Sequence, residues 1–125
     1  MRFEDTDKER SEQAHEQHVL DALAILGIEY DDGPYRQSER TDIYKAKLQD
    51  LIDQDLAYAA EASTDDPSKQ VIRFRNPNTT IVFEDAVRGE VSIDTTDFGD
   101  FVIARSMDNP LYHLTVVVDD IEMGI

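Results

Sequence analysis

The spacing of apolar residues changes along this 125-residue chain, from steps of three and four to steps of two. Four apolar residues in the N-terminal part share one face of a helix: Val19, Ala22, Leu23 and Leu26. After the polar stretch Glu61–Lys69, the segment Val71–Arg75 alternates apolar residues with arginines, which is typical of a strand. A chain with both periods is expected to combine helices with a small antiparallel sheet.

The first helix is predicted from Thr6 to about Gly27. Thr6 and Glu9 have the spacing of a capping box, Ser11 is a second possible cap, and Gly27 is a natural stop. A connector with turn residues follows. A second helix is predicted from a Ser38 cap to about Gln54, and its buried residues are expected to be Tyr44, Leu48, Leu51 and Ile52.

Four β-branched or aromatic runs are predicted to be strands: Val71–Arg75, Thr79–Phe83, Val87–Ile93 and Phe101–Arg105. The segment Tyr112–Asp120 contains three consecutive valines, so residue propensity alone favours another strand there.

Composition restricts the class of protein. The chain has 28 acidic and 12 basic side chains and a formal charge of -16. It has no cysteine, and this absence excludes disulfide scaffolds, thiolate zinc sites and cysteine nucleophiles. It has no run of about 18 apolar residues, and its start lacks a signal peptide, so we expect a cytoplasmic protein with no membrane partner. Such acidity opposes non-specific attraction to phosphate.

The residues outside the core offer few chemical constellations. The run Arg2–Asp7 holds three carboxylates at a predicted helix start, which suits a solvated cap or a contact with an ammonium group, a ribose or a metal. His15 and His18 lie three residues apart, but without a third ligand nearby we expect surface residues rather than a zinc site.

The remaining candidates also have ordinary structural explanations. His113 precedes an apolar run and is expected to be a packed core residue, and its closeness in sequence to Ser106 and Asp108 does not establish a triad. Four arginines in the strand region could contact phosphate, but salt bridges to neighbours such as Glu84, Asp85 and Glu90 are preferred for them: Arg73, Arg75, Arg88 and Arg105.

Several strings occur in the order found in one family. They are Arg2-Phe3-Glu4-Asp5-Thr6-Asp7, the block Leu26–Arg40, Val71–Arg75, Arg88-Gly89-Glu90-Val91, Asp100–Ile103 and Tyr112–Gly124. Together they resemble bacterial glutamyl-tRNA synthetases over nearly the whole chain. The exception is Ala59–Gln70, where this chain is much shorter than the usual family insert.

The resemblance implies an α/β fold: an incomplete Rossmann-type class I synthetase catalytic domain with a small antiparallel β insert. Residues 1–58 would be the first part of the catalytic domain, 59–108 a shortened acceptor-stem-binding insert, and 109–125 the return to the catalytic domain. It also implies that Tyr112–Met123 is helical, and we prefer this prediction to the strand.

The resemblance further implies a glutamate–tRNA ligase, in which ATP with Mg²⁺ activates L-glutamate and the glutamyl group passes to tRNA(Glu). It places Glu4, Tyr112 and Val116 at the glutamate pocket, and Asp7 and Arg10 near the tRNA acceptor end. It implies no catalytic side chain and no metal ligand here, because such enzymes work by positioning and electrostatic stabilisation.

The family's HIGH-type signature and KMSKS-type loop would lie outside these residues, so this chain alone is expected to hold no ATP and to be inactive. Because partner strands of the catalytic domain would also lie outside it, apolar surface is expected to be exposed at Val116–Val118 and Ile125. Full-length relatives are usually monomeric.

Three alternatives remain. Glutaminyl-tRNA synthetases usually have Asp-Asp-Thr-Asn where this chain has Glu4–Asp7, glutamyl-queuosine enzymes have Glu-Asp-Leu-Asp, and a non-catalytic acidic module would keep the fold without the reaction.

Overall fold

The computed structural model describes residues 1–6, 11, 13–62 and 70–125. Three helices are formed by the described residues: α1 (Gln13–Ile25), α2 (Thr41–Asp53) and α3 (Tyr112–Glu122). The strands are β1 (Arg2–Phe3), β2 (Tyr35–Arg36), β3 (Ala57–Glu61), β4 (Gln70–Phe74), β5 (Thr80–Asp85), β6 (Gly89–Asp94), β7 (Phe101–Ser106) and β8 (Asn109–Pro110). Within the described ranges, no helix has the length and apolar character needed to cross a membrane.

The strands form three separate sheets. Strands β3, β4, β7 and β8 form an antiparallel sheet in that order, β5 and β6 form an antiparallel hairpin, and β1 pairs in parallel with β2. The parallel pair is only two residues long, with Arg2 opposite Tyr35 and Phe3 opposite Arg36. It nevertheless joins the start of the chain to the segment that leads into α2.

The core lies between α2, α3 and the four-stranded sheet. Its buried apolar residues are Tyr44, Leu48, Ala57, Ile72, Ile103, Ala104, Leu114 and Val118. Because α2 precedes the sheet in sequence and α3 follows it, the two chain segments on either side of the β region share one core.

A tight turn holds the parallel pair in place. The backbone N–H of Tyr35 donates to the carbonyl oxygen of Met1 at 3.0 Å. Gly33 adopts φ of +96°, and a Cβ at this position would collide with that same carbonyl oxygen. Glycine is therefore required here both for its backbone conformation and for the close approach of the two segments.

Helix α1 ends as predicted but begins later. Gly27 adopts φ of +67°, and the N–H groups of Gly27 and Ile28 donate to the carbonyls of Ala24 and Leu23, a Schellman ending. The described helix starts at Gln13 rather than Thr6, and Glu9 of the predicted capping box lies outside the described residues.

The apolar stripe of α1 remains largely uncovered. Val19 is 45% exposed and Leu26 is 70% exposed, so periodicity identified the helix but not a packed face.

Helix α2 confirms the predicted core residues and corrects the predicted cap. Tyr44 and Leu48 are buried, and Leu51 and Ile52 pack partly against the core. Ser38 is not the cap, because it lies in a 3-10 turn (Gln37–Glu39) and its backbone N–H and hydroxyl both donate to Asp5. The N-cap position of α2 is instead Arg40, which makes no side-chain cap hydrogen bond.

The strand favoured by propensity at Tyr112–Asp120 is wrong, and the helix implied by the resemblance is confirmed as α3. Burial explains the outcome. Leu114, Thr115, Val118 and Asp119 are the buried residues of this segment, a pattern of one helical face. Tertiary packing of that face outweighs the weak helix propensity of the valines.

All four predicted strands are present, but they do not form one sheet. Val71–Arg75 and Phe101–Arg105 correspond to β4 and β7 of the four-stranded sheet, whereas the other two pair with each other as β5 and β6. Strand β3 (Ala57–Glu61) was not predicted, because its alanines have low strand propensity. Its register is set by pairing with β4, where Ala57 lies opposite Phe74.

Candidate functional site

A buried carboxylate on α3 connects the elements that surround the proposed pocket. Asp119 is fully buried. Its Oδ2 accepts hydrogen bonds from Gln37 Nε2 and the Tyr44 hydroxyl, each at 2.9 Å, and its Oδ1 accepts from Arg40 Nε at 2.8 Å. A buried charge is stable only when it is paired and hydrogen-bonded, and these three donors meet that requirement.

The network extends through a second polar pair. Thr115 lies one helical turn before Asp119, and its single hydroxyl proton is shared between Gln37 Oε1 at 3.2 Å and the Tyr112 carbonyl oxygen at 2.9 Å. Burial, together with the hydrogen bond to Asp119, raises the pKa of Tyr44 above its ordinary value, so its hydroxyl stays protonated over a wider pH range than that of a free tyrosine. The two ends of the Gln37 amide thus contact two side chains of α3, Asp119 and Thr115. These contacts connect the segment before the β region to the segment after it.

The guanidinium of Arg2 joins this network to Glu4. Its Nη1 donates to Asp120 Oδ1 at 2.6 Å and its Nη2 to Glu4 Oε1 at 3.0 Å. The hydrogen bond to Asp120 is the main cause that raises the pKa of Arg2, and Glu4 adds to it. Nε of Arg2 is buried 3.7 Å from Asp119 Oδ2 and has no hydrogen-bond partner among the described residues. Glu4 is thus connected to α3 by one side chain.

The other proposed pocket residues lie on the same helix. Tyr112 is the first residue of α3, and its side chain is 57% exposed. Val116 follows one turn later and is half-buried. Among the described residues, no hydrogen bond joins Glu4 directly to Tyr112, so the connection between them runs through Arg2 and α3.

A shallow cleft of about 160 Å³ opens beside Glu4, between the end of β1 and α1. It is lined by Phe3, Glu4, Asp5, Ser11, His15, Glu16 and Val19. Asp5 is held by Ser38 and Glu16 by Arg36, whose Nε lies 2.8 Å from Glu16 Oε2. The cleft wall is therefore acidic, although each of its three carboxylates already has a partner: Arg2 for Glu4, Ser38 for Asp5 and Arg36 for Glu16.

Two proposed residues cannot be placed. Asp7 and Arg10, expected near the tRNA acceptor end, lie outside the described residues. His15 and His18 are exposed on α1. Across the described ranges, no group of three or more His, Cys, Asp or Glu side chains is placed to hold a metal ion.

The other candidates have structural roles, and two details differ from the predictions. Arg75 forms an ion pair, as preferred, but with Asp55 at 3.0 Å, and it also lies over the Tyr58 ring. Arg73 differs, because it donates to the backbone carbonyl of Asp100. His113 is exposed rather than part of the core, with Nε2 2.8 Å from the Val102 carbonyl oxygen. Asp108 binds Lys45, which leaves no triad with Ser106.

Sequence reasoning missed the Asp119 network. The available signal was an aspartate directly after three valines, four residues after Thr115 on the face that also carries Leu114 and Val118. A charged residue on an otherwise apolar helix face predicts a buried partner. The partners themselves could not be found, because Gln37 and Tyr44 lie 82 and 75 residues away in sequence.

Comparison with known families identifies the class of protein. The family described as "tRNA synthetases class I (E and Q), catalytic domain" matches residues 1–66 and 59–125, which together include the whole chain. The chain therefore belongs to this family of class I synthetase catalytic domains. The two matched segments meet where the sequence indicates a shortened stretch, at Ala59–Gln70.

The similar curated proteins are glutamate–tRNA ligases. Glutamate–tRNA ligase 1 of Rubrobacter xylanophilus is 44% identical over 125 residues, covering all of this chain and 28% of the relative. A glutamate–tRNA ligase of Burkholderia mallei is 37% identical over 160 aligned positions, covering all of this chain and 34% of the relative. The chain thus spans about a third of the length of the curated relatives it matches.

The fold has matches among solved structures. A glutamate tRNA ligase from Elizabethkingia meningosepticum, crystallised in complex with its amino acid, superposes with a TM-score of 0.84 at 27% identity, over 99% of this chain and 35% of that one. The glutamate-tRNA synthetase of Elizabethkingia anophelis gives the same values. The mixed α/β fold with antiparallel strands, implied by the sequence resemblance, is confirmed as a class I catalytic-domain fragment.

Proposed function

We propose that this chain forms the amino-acid-binding wall of a glutamate–tRNA ligase. In that reaction the α-carboxylate of L-glutamate attacks the α-phosphate of ATP and displaces pyrophosphate. A hydroxyl of the 3′-terminal ribose of tRNA(Glu) then attacks the acyl carbon of the glutamyl adenylate, forming the ester and releasing AMP. ATP with Mg²⁺ would be held outside these residues. The chain's own contribution is to bind and orient glutamate, and orientation alone supplies a large share of such a barrier reduction.

Within the wall, Glu4 accepts hydrogen bonds from the ammonium group of the substrate. Tyr112 and Val116 line the pocket from α3, while Asp7 and Arg10 face the acceptor end of the tRNA. The observation that carries the proposal is the Arg2 guanidinium, which contacts Glu4 at 3.0 Å and Asp120 of α3 at 2.6 Å. It links the proposed ammonium ligand to the helix that carries the other two pocket residues.

The division into parts is also a proposal. Residues 1–58 and 109–125 would build the catalytic wall, and 59–108 would form a shortened acceptor-stem-binding insert. The Asp119 network supports this division, because its members come from the first and last of these parts. The insert would then be connected at two points whose relative position is held by buried hydrogen bonds.

A segment exchange tests the function. The R. xylanophilus ligase aligns over 125 positions with all 125 residues of this chain, so its matching segment can be replaced without a net change in length. The exchanged enzyme is expected to charge tRNA(Glu) with L-glutamate and to reject L-glutamine. Glu4→Gln should raise KM for glutamate roughly 10- to 100-fold, the usual loss for one charge-assisted hydrogen bond.

Glu90→Gln is the matched control, because Glu90 is exposed on β6 of the distant hairpin. It should leave KM unchanged. Equal KM values for the exchanged enzyme and its Glu4→Gln variant would reject the assignment of Glu4. A preference for glutamine would favour the glutaminyl alternative instead. The 125-residue chain by itself is expected to give no pyrophosphate exchange above a Glu4→Ala control.

A further inference from the structure

The carboxylate of Glu4 emerges from the short strand β1 and is 35% exposed. A glutamate side chain in this position has three rotatable bonds, so without a fixed partner it would sample several rotamers. The contact with Arg2 restricts the rotamers of the Glu4 side chain, because Arg2 is itself held by other groups.

Arg2 is fixed from two directions. Its backbone belongs to β1, where it pairs with Tyr35, and its side chain is only 14% exposed. The planar guanidinium presents its donors in a rigid fork, so one nitrogen can bind Asp120 while another binds Glu4. A lysine in the same place would offer a single flexible ammonium group.

Asp120 is fixed in turn by its neighbour in sequence. Asp119 anchors α3 to α2 and the 3-10 turn through three hydrogen bonds at 2.8–2.9 Å. Since a residue adjacent to a buried anchor has little freedom, Asp120 presents its carboxylate to Arg2 from a rigid helix. The contacts therefore run from α3 through Asp120 and Arg2 to Glu4.

We infer that Asp120 and Arg2 are positioning residues for the substrate ammonium group, because Asp120 holds the Arg2 fork and the fork orients the Glu4 carboxylate. This inference rests on the proposed function. It adds that the binding geometry of β1 depends on α3, although the two elements are separated by more than 100 residues of sequence.

Charge balance supports the arrangement. Three carboxylates (Glu4, Asp119 and Asp120) meet two guanidiniums (Arg2 and Arg40). One negative charge is left uncompensated within this cluster, which suits an incoming ammonium group. Removing the charge of Asp120 would free the Arg2 fork to bind Glu4 with two nitrogens, which turns the carboxylate and reduces its attraction for the substrate.

The test has a structural arm on the 125-residue chain. Carbon relaxation of the Glu4 side-chain methylenes should report an ordered side chain, and this order should change in Asp120→Asn and in Arg2→Lys. Asp108→Asn is the matched control, because Asp108 also pairs with a cation at 2.6 Å but on Lys45 of α2. Unchanged relaxation and an unchanged Glu4 position in Asp120→Asn would overturn the inference.

The kinetic arm uses the exchanged ligase. Asp120→Asn is expected to raise KM for glutamate about three- to fivefold while kcat changes little, the size typical of a partly exposed ion pair. In the Glu4→Gln background its effect should be clearly smaller, because the group that it positions is gone and only the loss of one nearby negative charge remains. A similar rise of KM in that background would overturn the inference.

The two arms also separate this inference from the proposed function. If Glu4→Gln leaves KM unchanged while Asp120→Asn alters Glu4 mobility, the assignment of the pocket is wrong and the mechanical link is correct. If Glu4→Gln raises KM and Asp120→Asn changes neither readout, the pocket is correct and the positioning role is wrong.

Discussion

Asp119 is the residue whose removal should affect the fold most. It is fully buried and accepts hydrogen bonds from Gln37, Arg40 and Tyr44. Replacing a buried ion pair by well-packed apolar residues is often neutral, but removing one partner leaves the others desolvated and unpaired. The expected loss of unfolding free energy is therefore caused mainly by the donors that remain buried without an acceptor.

Asp119→Ala is expected to lower the free energy of unfolding by about 3–5 kcal/mol, because a guanidinium, an amide and a phenol lose their acceptor. Urea unfolding followed by circular dichroism measures the change. Asp31→Ala, at an exposed loop position, should stay within about 0.5 kcal/mol of the parent chain. A loss for Asp119→Ala as small as that of the control would contradict the buried network.

Asp100 gives the chain a defined dependence on acid. Its pKa is lowered first by the backbone N–H of Asn76, at 2.8 Å, and then by the Tyr58 hydroxyl, at 2.9 Å, with Arg75 and Arg73 adding to the effect. A carboxylate with a depressed pKa stabilises the fold fully above its unfolded value, and that contribution is lost as pH falls through the folded value.

The difference in unfolding free energy between the parent chain and Asp100→Asn should be constant from neutral pH down to about 5. It should shrink below about pH 4, the ordinary range of an aspartate. Urea unfolding at several pH values measures this difference. A difference that stays constant or grows on acidification would show that the Asp100 carboxylate is not stabilised by these donors.

Among the elements, α3 shows where sequence reasoning succeeds and fails. Val116, Val117 and Val118 favour a strand by propensity, yet the segment is a helix because Leu114, Thr115, Val118 and Asp119 all find buried partners on one face. Local preference is worth a few tenths of a kcal/mol per residue, whereas burial of one side chain is worth more. Only the family resemblance identified this helix.

Helix α3 allows a matched pair of substitutions. Val118→Ala removes two buried methyl groups from the core and should cost about 2 kcal/mol of unfolding free energy. Val117→Ala, at a side chain that is 55% exposed, should be neutral or stabilising by up to about 0.5 kcal/mol, because alanine favours the helix. Equal losses at the two positions would contradict the observed helical face.

Other elements were predictable to different degrees. Helix α2 and strands β4 and β7 followed from the spacing and type of their apolar residues, although β7 buries two consecutive residues, Ile103 and Ala104, rather than one side. Strands β1 and β2 could not be found, since they are two residues long and pair across more than 30 residues of sequence. The candidate site was proposed only through resemblance: Glu4 was named from its motif, but its connection through Arg2 to Asp120 is a tertiary contact with no local signal.

At the scale of the whole molecule, apolar exposure and charge oppose each other. Ile25, Val87 and Ile125 are almost fully exposed, and β5 and β6 carry further exposed apolar residues. The expected exposure at the end of the chain holds for Val117 and Ile125 but not for Val118, which belongs to the core. The formal charge of -16 keeps copies of the chain apart at low ionic strength.

The 125-residue chain should therefore associate more strongly as salt is added. The Debye length falls from about 10 Å at 0.1 M to about 3 Å at 1 M, so repulsion weakens while apolar attraction does not. Sedimentation velocity at several protein concentrations would show a rising average mass between these two conditions. A monomer at every concentration and salt level would show that the exposed apolar residues do not drive self-association.

Glu4 is proposed to receive the ammonium group of the amino-acid substrate, and a cycle of two ligands and two enzyme variants measures this role. Dissociation constants for L-glutamate and for glutarate, which lacks the amino group, are measured by calorimetry on the exchanged ligase and its Glu4→Gln variant. The parent should prefer glutamate by roughly 10- to 100-fold, and the variant should lose most of that preference. An undiminished preference in the variant would contradict the claim.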